Sequence, residues 1–119
     1  MNCIFCKIIN NEIPSYKIYE DDVVLAFLDI NPDSNGHTLI IPKQHFKDID
    51  DIPTDILNHI MSIAKNLKIR LYEKLSCDGL TLVQNNGEIQ EVKHFHLHLK
   101  PYYINNRISK VEEIYKVLK

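Results

Sequence analysis

Three histidines, His94, His96 and His98, occupy alternate positions near the C-terminal end of the 119-residue chain. Alternate side chains of a β-strand project from one face, so this spacing predicts three imidazoles in a row, with apolar residues on the opposite face. Imidazole acts as a nucleophile, a proton carrier or a metal ligand near neutral pH. The row therefore indicates a chemical site. Two other interpretations stay open: a solvated strand face rich in histidine, and a three-histidine metal centre with an open water position.

Cys3 and Cys6 are separated by two residues, which is the spacing of a zinc half-site. Tetrahedral zinc needs two further ligands. Because the third cysteine is distant, histidines should supply them, and the candidates are His45 and one end of the histidine row. A redox pair of the thioredoxin type is the competing interpretation, but no βαβ pattern follows the cysteines, so metal is favoured. Cys77 is interpreted as a small buried residue.

The elements that must position these residues can be predicted from the apolar pattern. A long helix is expected over Thr54–Leu75, where apolar residues recur at 3.6-residue spacing. A short C-terminal helix should open with a capping box of Ser109 and Glu112 and end near Leu118. Short turns between strands, with one long helix inserted, indicate an α+β protein whose antiparallel sheet has one face covered by that helix. The other face needs another cover. The predicted strands are residues 16–20, 23–29, 37–41, 79–85 and 92–99.

The composition is that of an average globular domain, and it excludes several classes of protein. Hydrophobic residues make up 45% and charged residues 25% of the chain, which argues against intrinsic disorder. The length predicts a single domain spanning residues 1–119. A net charge of −2 gives no general attraction to nucleic acid, and no apolar run approaches the ~20 residues of a membrane-spanning helix. The N-terminus lacks the pattern of a secretory signal or transit peptide, so a cytoplasmic protein is expected.

Most of the chain resembles the histidine triad (HIT) family, and it is most similar to the Hint-like branch whose bacterial members carry a Cys-x-x-Cys zinc site. This resemblance implies a HIT-like fold: a five-stranded antiparallel sheet with one long central helix and short terminal helices. It also implies a homodimer. The motifs that carry it are, in chain order, Cys3-Ile-Phe-Cys6, Glu12-Ile-Pro14, Ala26-Phe-Leu-Asp29-Ile30, Gly36-His37 through Pro42-Lys43 with His45, and Asn85-Asn-Gly87 with Gln90 before the histidine row.

The resemblance also implies roles for the histidines. His96 would attack the α-phosphorus of a nucleotide and form a nucleotidyl-histidine intermediate that water then cleaves. A neutral imidazole can do this without an adjacent base because its unperturbed pKa is about 6.5. His98 would hydrogen-bond the phosphate or leaving-group oxygens, and His37 would lie near the phosphate. His94 would be the fourth ligand of one structural zinc per chain, beside Cys3, Cys6 and His45.

The substrate implied by the resemblance is a purine nucleotide derivative such as a phosphoramidate, cleaved by hydrolysis or nucleotidyl transfer. Asp29 and Ile30 would contact the ribose and base, with Asn85 and Gln90 at the phosphate. The chain departs from the family at two points: the stretch between Gly87 and Gln90 is two residues shorter, and Glu91 replaces a serine that can donate a proton to a leaving amine. A dinucleoside polyphosphate hydrolase and a nucleotide-binding regulatory module with incidental turnover are the alternatives.

Overall fold

The protein, represented by a computed structural model, is described over residues 3–105 and 107–119. The predicted domain of residues 1–119 thus includes three residues, 1, 2 and 106, that lie outside this description. No helix within the described part of the chain has the length and apolar character needed to cross a membrane. The helices are α1 (Ile4–Ile9), α2 (Thr54–Leu75) and α3 (Val111–Leu118), and the strands are β1 (Lys17–Glu20), β2 (Val24–Leu28), β3 (Thr38–Pro42), β4 (Gly79–Val83) and β5 (Leu97–Tyr102).

The five strands form one antiparallel sheet in the order β1-β2-β3-β5-β4. The α+β fold expected from the sequence is confirmed. Because α2 and β4 lie between β3 and β5 in the sequence, it is the sheet that brings these two strands together. Leu39 is opposite His98 and Thr38 is opposite Leu99 in their register. This register places His37, which immediately precedes β3, beside the histidine row.

Helix α2 covers one face of the sheet, and its bounds are those predicted from the apolar spacing. Its buried side chains pack against the β2 residues Val24, Ala26 and Leu28. The helix ends where Ser76 adopts a left-handed conformation with a φ of 53°. Burial of this stripe is the main reason for a helix of this length, because helical propensity alone gives only marginal stability in water. The buried α2 residues are Ile60, Ile63, Ala64, Leu67 and Leu71.

The opposite face of the sheet is covered in part by the short helix α1. Phe5 and Ile8 are its buried residues, and they pack against a separate cluster that includes Leu25 and Phe27 of β2. The rings of Phe5 and Phe27 lie edge to face with their centroids 5.7 Å apart. Strand β2 is therefore buried at all five positions, because its alternate side chains enter two different cores.

Two sequence predictions about elements are wrong. Strand β5 begins at Leu97 instead of residue 92, and it continues through Pro101 to Tyr102. Its pairing with β3 ends at Leu99, so Pro101 lies where β5 has one neighbouring strand, a position that tolerates a missing N–H. The capping box is also absent: Lys110 is the N-cap of α3 without a side-chain bond, and the Ser109 N–H donates to Asn35 Oδ1 at 2.8 Å.

Candidate active site

A cavity of about 490 Å³ opens on the α1 face of the sheet, between α1, the ends of β2 and β3, and the segment that precedes β5. Apolar and polar side chains both line this cavity, as they do in sites that hold an organic ligand with a charged group. Its apolar lining includes Phe5, Ile8, Phe27 and Leu39, and its polar lining includes Asp29, His37, Asn85, Glu91, His96, His98 and Lys100.

The orientation of His96 is set by the chain that leads into β5. His96 Nδ1 lies 2.8 Å from the carbonyl oxygen of His94, and a carbonyl only accepts, so Nδ1 carries the proton. Nε2 then keeps its lone pair for a ligand in the cavity. The edge of the Phe5 ring packs against the imidazole at 5.1 Å between centroids, and only 5% of His96 is exposed. A fixed ring with one available lone pair is suited to nucleophilic attack.

The tautomers of His37 and His98 follow from a chain of hydrogen bonds. The main-chain N–H of Asp33 donates to His37 Nδ1 at 3.0 Å, so the proton of neutral His37 is on Nε2. That Nε2–H faces His98 Nδ1 at 2.9 Å, which makes His98 Nδ1 the acceptor. His98 therefore carries its proton on Nε2. The site offers a lone pair from His96 and an N–H from His98, on rings whose centroids lie 4.8 Å apart.

Burial keeps all three imidazoles neutral near pH 7. It lowers the pKa of His37 and of His96, and the nearby carboxylates of Asp29 and other residues only partly oppose this effect. The pKa of His98 is lowered to about 4, first by burial and then by the neighbouring His96, His37 and Lys100. A neutral ring with a lone pair at His96 and a neutral N–H donor at His98 are both present at physiological pH for this reason.

The structure brings most of the predicted substrate-binding residues to the cavity, but it does not bring Gln90 there. Asp29, Ile30, Asn85 and Glu91 all line the cavity. Gln90 is 2% exposed, and its Nε2 donates to the carbonyl oxygen of Lys47 at 2.6 Å. Its side chain thus lies beneath the shortened loop.

Sequence reasoning missed two lysines, one that holds the loop before the histidine row and one that lies beside His37 and His98. Lys93 Nζ donates to the carbonyl oxygens of Gly87 and Gln90 at 2.6 and 2.8 Å, which fixes the short turn Gly87–Ile89. Lys100 pairs with Asp33 at 2.8 Å beside His37 and His98. Neither lysine belongs to a motif. The one available signal was the alternation that places Lys100 on the same strand face as His98.

Cys3, Cys6, His45 and His94 form a second cluster, whose ligand atoms all lie within 4.8 Å of one another. Cys3 Sγ is 3.4 Å from His94 Nδ1, and Cys6 Sγ is 3.3 Å from His45 Nδ1. His94 Nε2 donates to the carbonyl oxygen of Pro42 at 2.8 Å, so its Nδ1 lone pair faces the sulfurs. Burial and the adjacent Cys3 raise the pKa of the Cys6 thiol to about 11. A cation bound between the two sulfurs would have the opposite effect, because it stabilises the thiolate form of both cysteines. Two thiols and two imidazoles at these distances fit zinc.

Comparison with known proteins agrees with this geometry. A family model described as the HIT domain matches residues 10–104. The chain is 51% identical to an uncharacterized HIT-like protein of Methanocaldococcus jannaschii over 85% of this chain and 79% of that protein. It is 50% identical to an adenosine 5'-monophosphoramidase of Saccharomyces cerevisiae over 83% of this chain and 61% of the yeast protein. It is also 38% identical to an adenylylsulfatase of Arabidopsis thaliana, over 84% of this chain and 52% of the plant protein.

Solved structures are similar over nearly the whole chain. A Zn-bound histidine triad family protein from Mycobacterium smegmatis superimposes with a TM-score of 0.92 at 34% identity, covering 99% of this chain and 91% of that one. A Hit-like protein from Bartonella henselae gives a TM-score of 0.90 at 36% identity, covering 98% and 94%. The chain belongs to the histidine triad family. It is an enzyme, a hydrolase of the HIT type.

The tautomers lead to a first prediction. In nitrogen-15 NMR of the histidine rings at pH 7, His96 should carry its proton on Nδ1, whereas His37 and His98 should carry theirs on Nε2. On acidification His98 should titrate with a midpoint near 4. This folded pKa is below the ~6.5 of an unfolded chain, so the unfolded state binds more protons as the pH falls from 6.5 to 4 and the free energy of unfolding decreases. A midpoint of 6.5 for His98, or a proton on its Nδ1, would contradict the hydrogen-bond assignment.

Proposed function

We propose that this hydrolase cleaves purine nucleotide derivatives at the α-phosphate through a covalent nucleotidyl-histidine intermediate. His96 Nε2 attacks phosphorus, the leaving group departs with its bonding electrons, and water then attacks the same phosphorus and restores the imidazole. The observation that carries this proposal is the lone pair of His96 beside the N–H of His98 in one cavity. That N–H donates to the phosphate or to the leaving-group oxygen as negative charge develops.

The same cavity has a place for each part of a nucleotide. The apolar side chains of Phe5, Ile8 and Phe27 take the purine ring, and Ile30 adds to this surface. The Asp29 carboxylate accepts from ribose hydroxyls. Asn85 and Glu91 lie on the phosphate side, and Gln90 contributes by holding the loop through its bond to Lys47. The resemblance implies the roles of Asp29, Ile30 and Asn85, whereas the role of the apolar wall is inferred from the cavity lining and Gln90 becomes a residue that supports the loop.

Phosphoramidates are the first substrates to test, because one similar protein is named adenosine 5'-monophosphoramidase and another adenylylsulfatase. A dinucleoside polyphosphate hydrolase would use the same His96 chemistry with a different leaving group. A nucleotide-binding regulatory module would label His96 but release product slowly. Comparing kcat/KM for adenosine and guanosine phosphoramidates, phosphosulfates and dinucleoside polyphosphates separates these functions and also measures the base preference.

His96→Ala should abolish turnover, since no other imidazole in the described cavity has its lone pair arranged in this way. Rapid-quench mass spectrometry of the wild type should find a nucleotide adduct on the peptide that contains His96. The matched control is His59→Ala, which removes a histidine on α2 that pairs with Asp21 and does not line the cavity. Turnover by His96→Ala near the wild-type rate, or an adduct on another peptide, would reject the proposed nucleophile.

A further prediction concerns Glu91 and the leaving group. An ionised carboxylate cannot donate the proton that a leaving amine needs, whereas a hydroxyl can. Glu91→Ser should therefore raise kcat/KM for an adenosine phosphoramidate more than for a dinucleoside polyphosphate. Glu88→Ser, which changes an exposed acid in the neighbouring turn, is the control. Equal effects on the two substrates, or a lower rate with the amine, would refute this role.

We further propose that Cys3, Cys6, His45 and His94 hold one structural zinc per chain. When bound, zinc supplies a cross-link between α1 and the segment before β5, and four protein ligands leave no open position for Lewis-acid chemistry. The four ligand atoms lie within 4.8 Å of one another, which supports this assignment. The fourth ligand in this proposal is His94, at one end of the histidine row, which is the residue that the resemblance implies.

Elemental analysis should find about one zinc per chain, and Cys3→Ser or His45→Ala should lose most of it. Loss of zinc should lower the melting temperature more than it lowers the rate of the enzyme that stays folded, because attack comes from His96. Cys77→Ser is the control, since Cys77 lies outside the cluster. Native protein purified without chelator and free of metal would refute the site, as would release of zinc by His96→Ala.

We also propose that the enzyme is a cytoplasmic homodimer that acts on a small nucleotide and uses neither nucleic acid nor a membrane. The edge strand β4 presents exposed Leu82, and α2 presents exposed Ile69 and Tyr72, which supports pairing through these elements. Light scattering at micromolar concentration should give about twice 13.9 kDa. A mass of one chain at all concentrations would exclude the dimer.

A further inference from the structure

Lys100 lies on β5 two residues beyond His98, so both side chains project from the same face of the sheet. Lys100 Nζ is 2.8 Å from a carboxylate oxygen of Asp33, and Lys100 lines the cavity together with His37 and His98. Asp33 belongs to the turn-rich loop between β2 and β3, which is more than sixty residues away in the sequence. The ion pair therefore joins this loop to the histidine strand beside the site.

Asp33 contacts both Lys100 and His37, through different groups. Its carboxylate pairs with Lys100, while its main-chain N–H donates to His37 Nδ1 at 3.0 Å. The adjacent Ser34 donates through Oγ to the carbonyl oxygen of Pro101 at 2.5 Å, so the loop is attached to β5 at two successive residues. Because this N–H sets the tautomer of His37, and His37 sets that of His98, the loop position determines which nitrogen of His98 carries the proton.

The positive and negative charges around His37 and His98 oppose each other, so burial has the largest effect on the protonation of these two rings. The groups that act on His37 and His98, besides the two rings themselves, are Asp29, Asp33, Lys100 and His96. The Asp33 carboxylate raises the pKa of both rings, and Lys100 lowers it, while burial is the largest effect and lowers it. Since Asp33 and Lys100 form a contact pair, their opposite effects largely cancel.

We propose that Lys100 is a positioning residue, whose ion pair with Asp33 holds the Asp33 N–H on His37 and cancels the carboxylate charge beside His98. The His37–His98 pair then stays neutral, and His98 keeps its Nε2–H for the phosphate or the leaving group. This role rests on the proposed function for its catalytic consequence, but the state of the two rings can be measured without any substrate.

The experiment follows the ring nitrogens of His37 and His98 by NMR, from pH 8 to about pH 2.5, in the wild type and two single variants. Lys100→Met leaves the Asp33 carboxylate uncompensated, so the midpoint of His98 should shift upward. Asp33→Asn leaves the Lys100 ammonium uncompensated, so the midpoint should fall. A purely structural role would move both variants in the same direction, because each of them breaks the same contact.

Two further variants serve as controls. Lys43→Met removes the ion pair of Lys43 with Glu20, which is also 2.8 Å long and lies at the opposite end of the sheet, and it should leave the histidines unchanged. Lys100→Arg keeps the positive charge and should restore the wild-type midpoint. An unchanged His98 midpoint in Lys100→Met, or shifts of the same sign in Lys100→Met and Asp33→Asn, would overturn the role of Lys100.

Activity provides an independent readout. On acidification, the kcat/KM of Lys100→Met should begin to fall at a higher pH than that of the wild type, while Lys43→Met follows the wild-type profile. Opposite NMR shifts in a protein that cleaves none of the tested nucleotides would support the role of Lys100 and reject the proposed function. A wild-type pH profile in Lys100→Met, despite normal turnover, would overturn the role of Lys100 in catalysis.

Discussion

The hydrogen bond from His96 Nδ1–H to the carbonyl oxygen of His94 is the contact on which the candidate active site depends. It forms because the chain has not yet entered β5 at these residues, so the carbonyl of His94 is available to a side chain two positions later. The side chain of His94 is itself held by Pro42 and directed at the cysteines. One residue thus fixes the cysteine cluster with its ring and the cavity with its carbonyl.

The short helix α1 connects these two centres through packing. The Phe5 ring contacts Phe27 in the sheet and also packs edge to face with the imidazoles of His94 and His96, whose centroids are 5.8 and 5.1 Å away. The helix begins beyond Cys3, whose Sγ accepts the N–H of Cys6 as an N-cap. A six-residue helix is not stable by itself in water, so its place depends on this packing and on the cysteine cluster.

Burial has a chemical as well as a structural consequence here. The imidazoles of His37, His94 and His96 are 5% exposed or less, and each has a lowered pKa because the charged form is poorly solvated. Neutral rings can share hydrogen bonds in a row without repulsion, and they present one lone pair and one N–H each. The same burial that stabilises the apolar clusters on the two sheet faces therefore sets the protonation state that the chemistry requires.

The sequence by itself determined the class of fold, the bounds of α2 and the identity of most residues in both centres. The apolar period of α2 and the motifs around the cysteines and histidines are local signals, which is why they could be read from neighbouring positions. The bounds of β5 could not be found in this way, because the alternation of histidine and apolar residues continues through residues 94–96. The main chain there makes hydrogen bonds to the His96 side chain and to the Phe46 carbonyl oxygen, and it does not pair with a neighbouring strand.

Only the tertiary structure decided which atom of each histidine is available, because that depends on the course of the main chain beside each ring and on one partner ring that is distant in the sequence. The His94 carbonyl on His96 and the Asp33 N–H on His37 are local contacts that depend on the direction of the main chain, which the residue pattern does not give. The His37–His98 bond and the ion pair of Lys100 with Asp33 follow from the pairing of β3 with β5. The burial of Gln90 and the attachment of the short loop by Lys93 were equally hidden. Residue types determine which groups are present, whereas the fold determines the distances between them. Those distances decide which nitrogen of each histidine carries the proton.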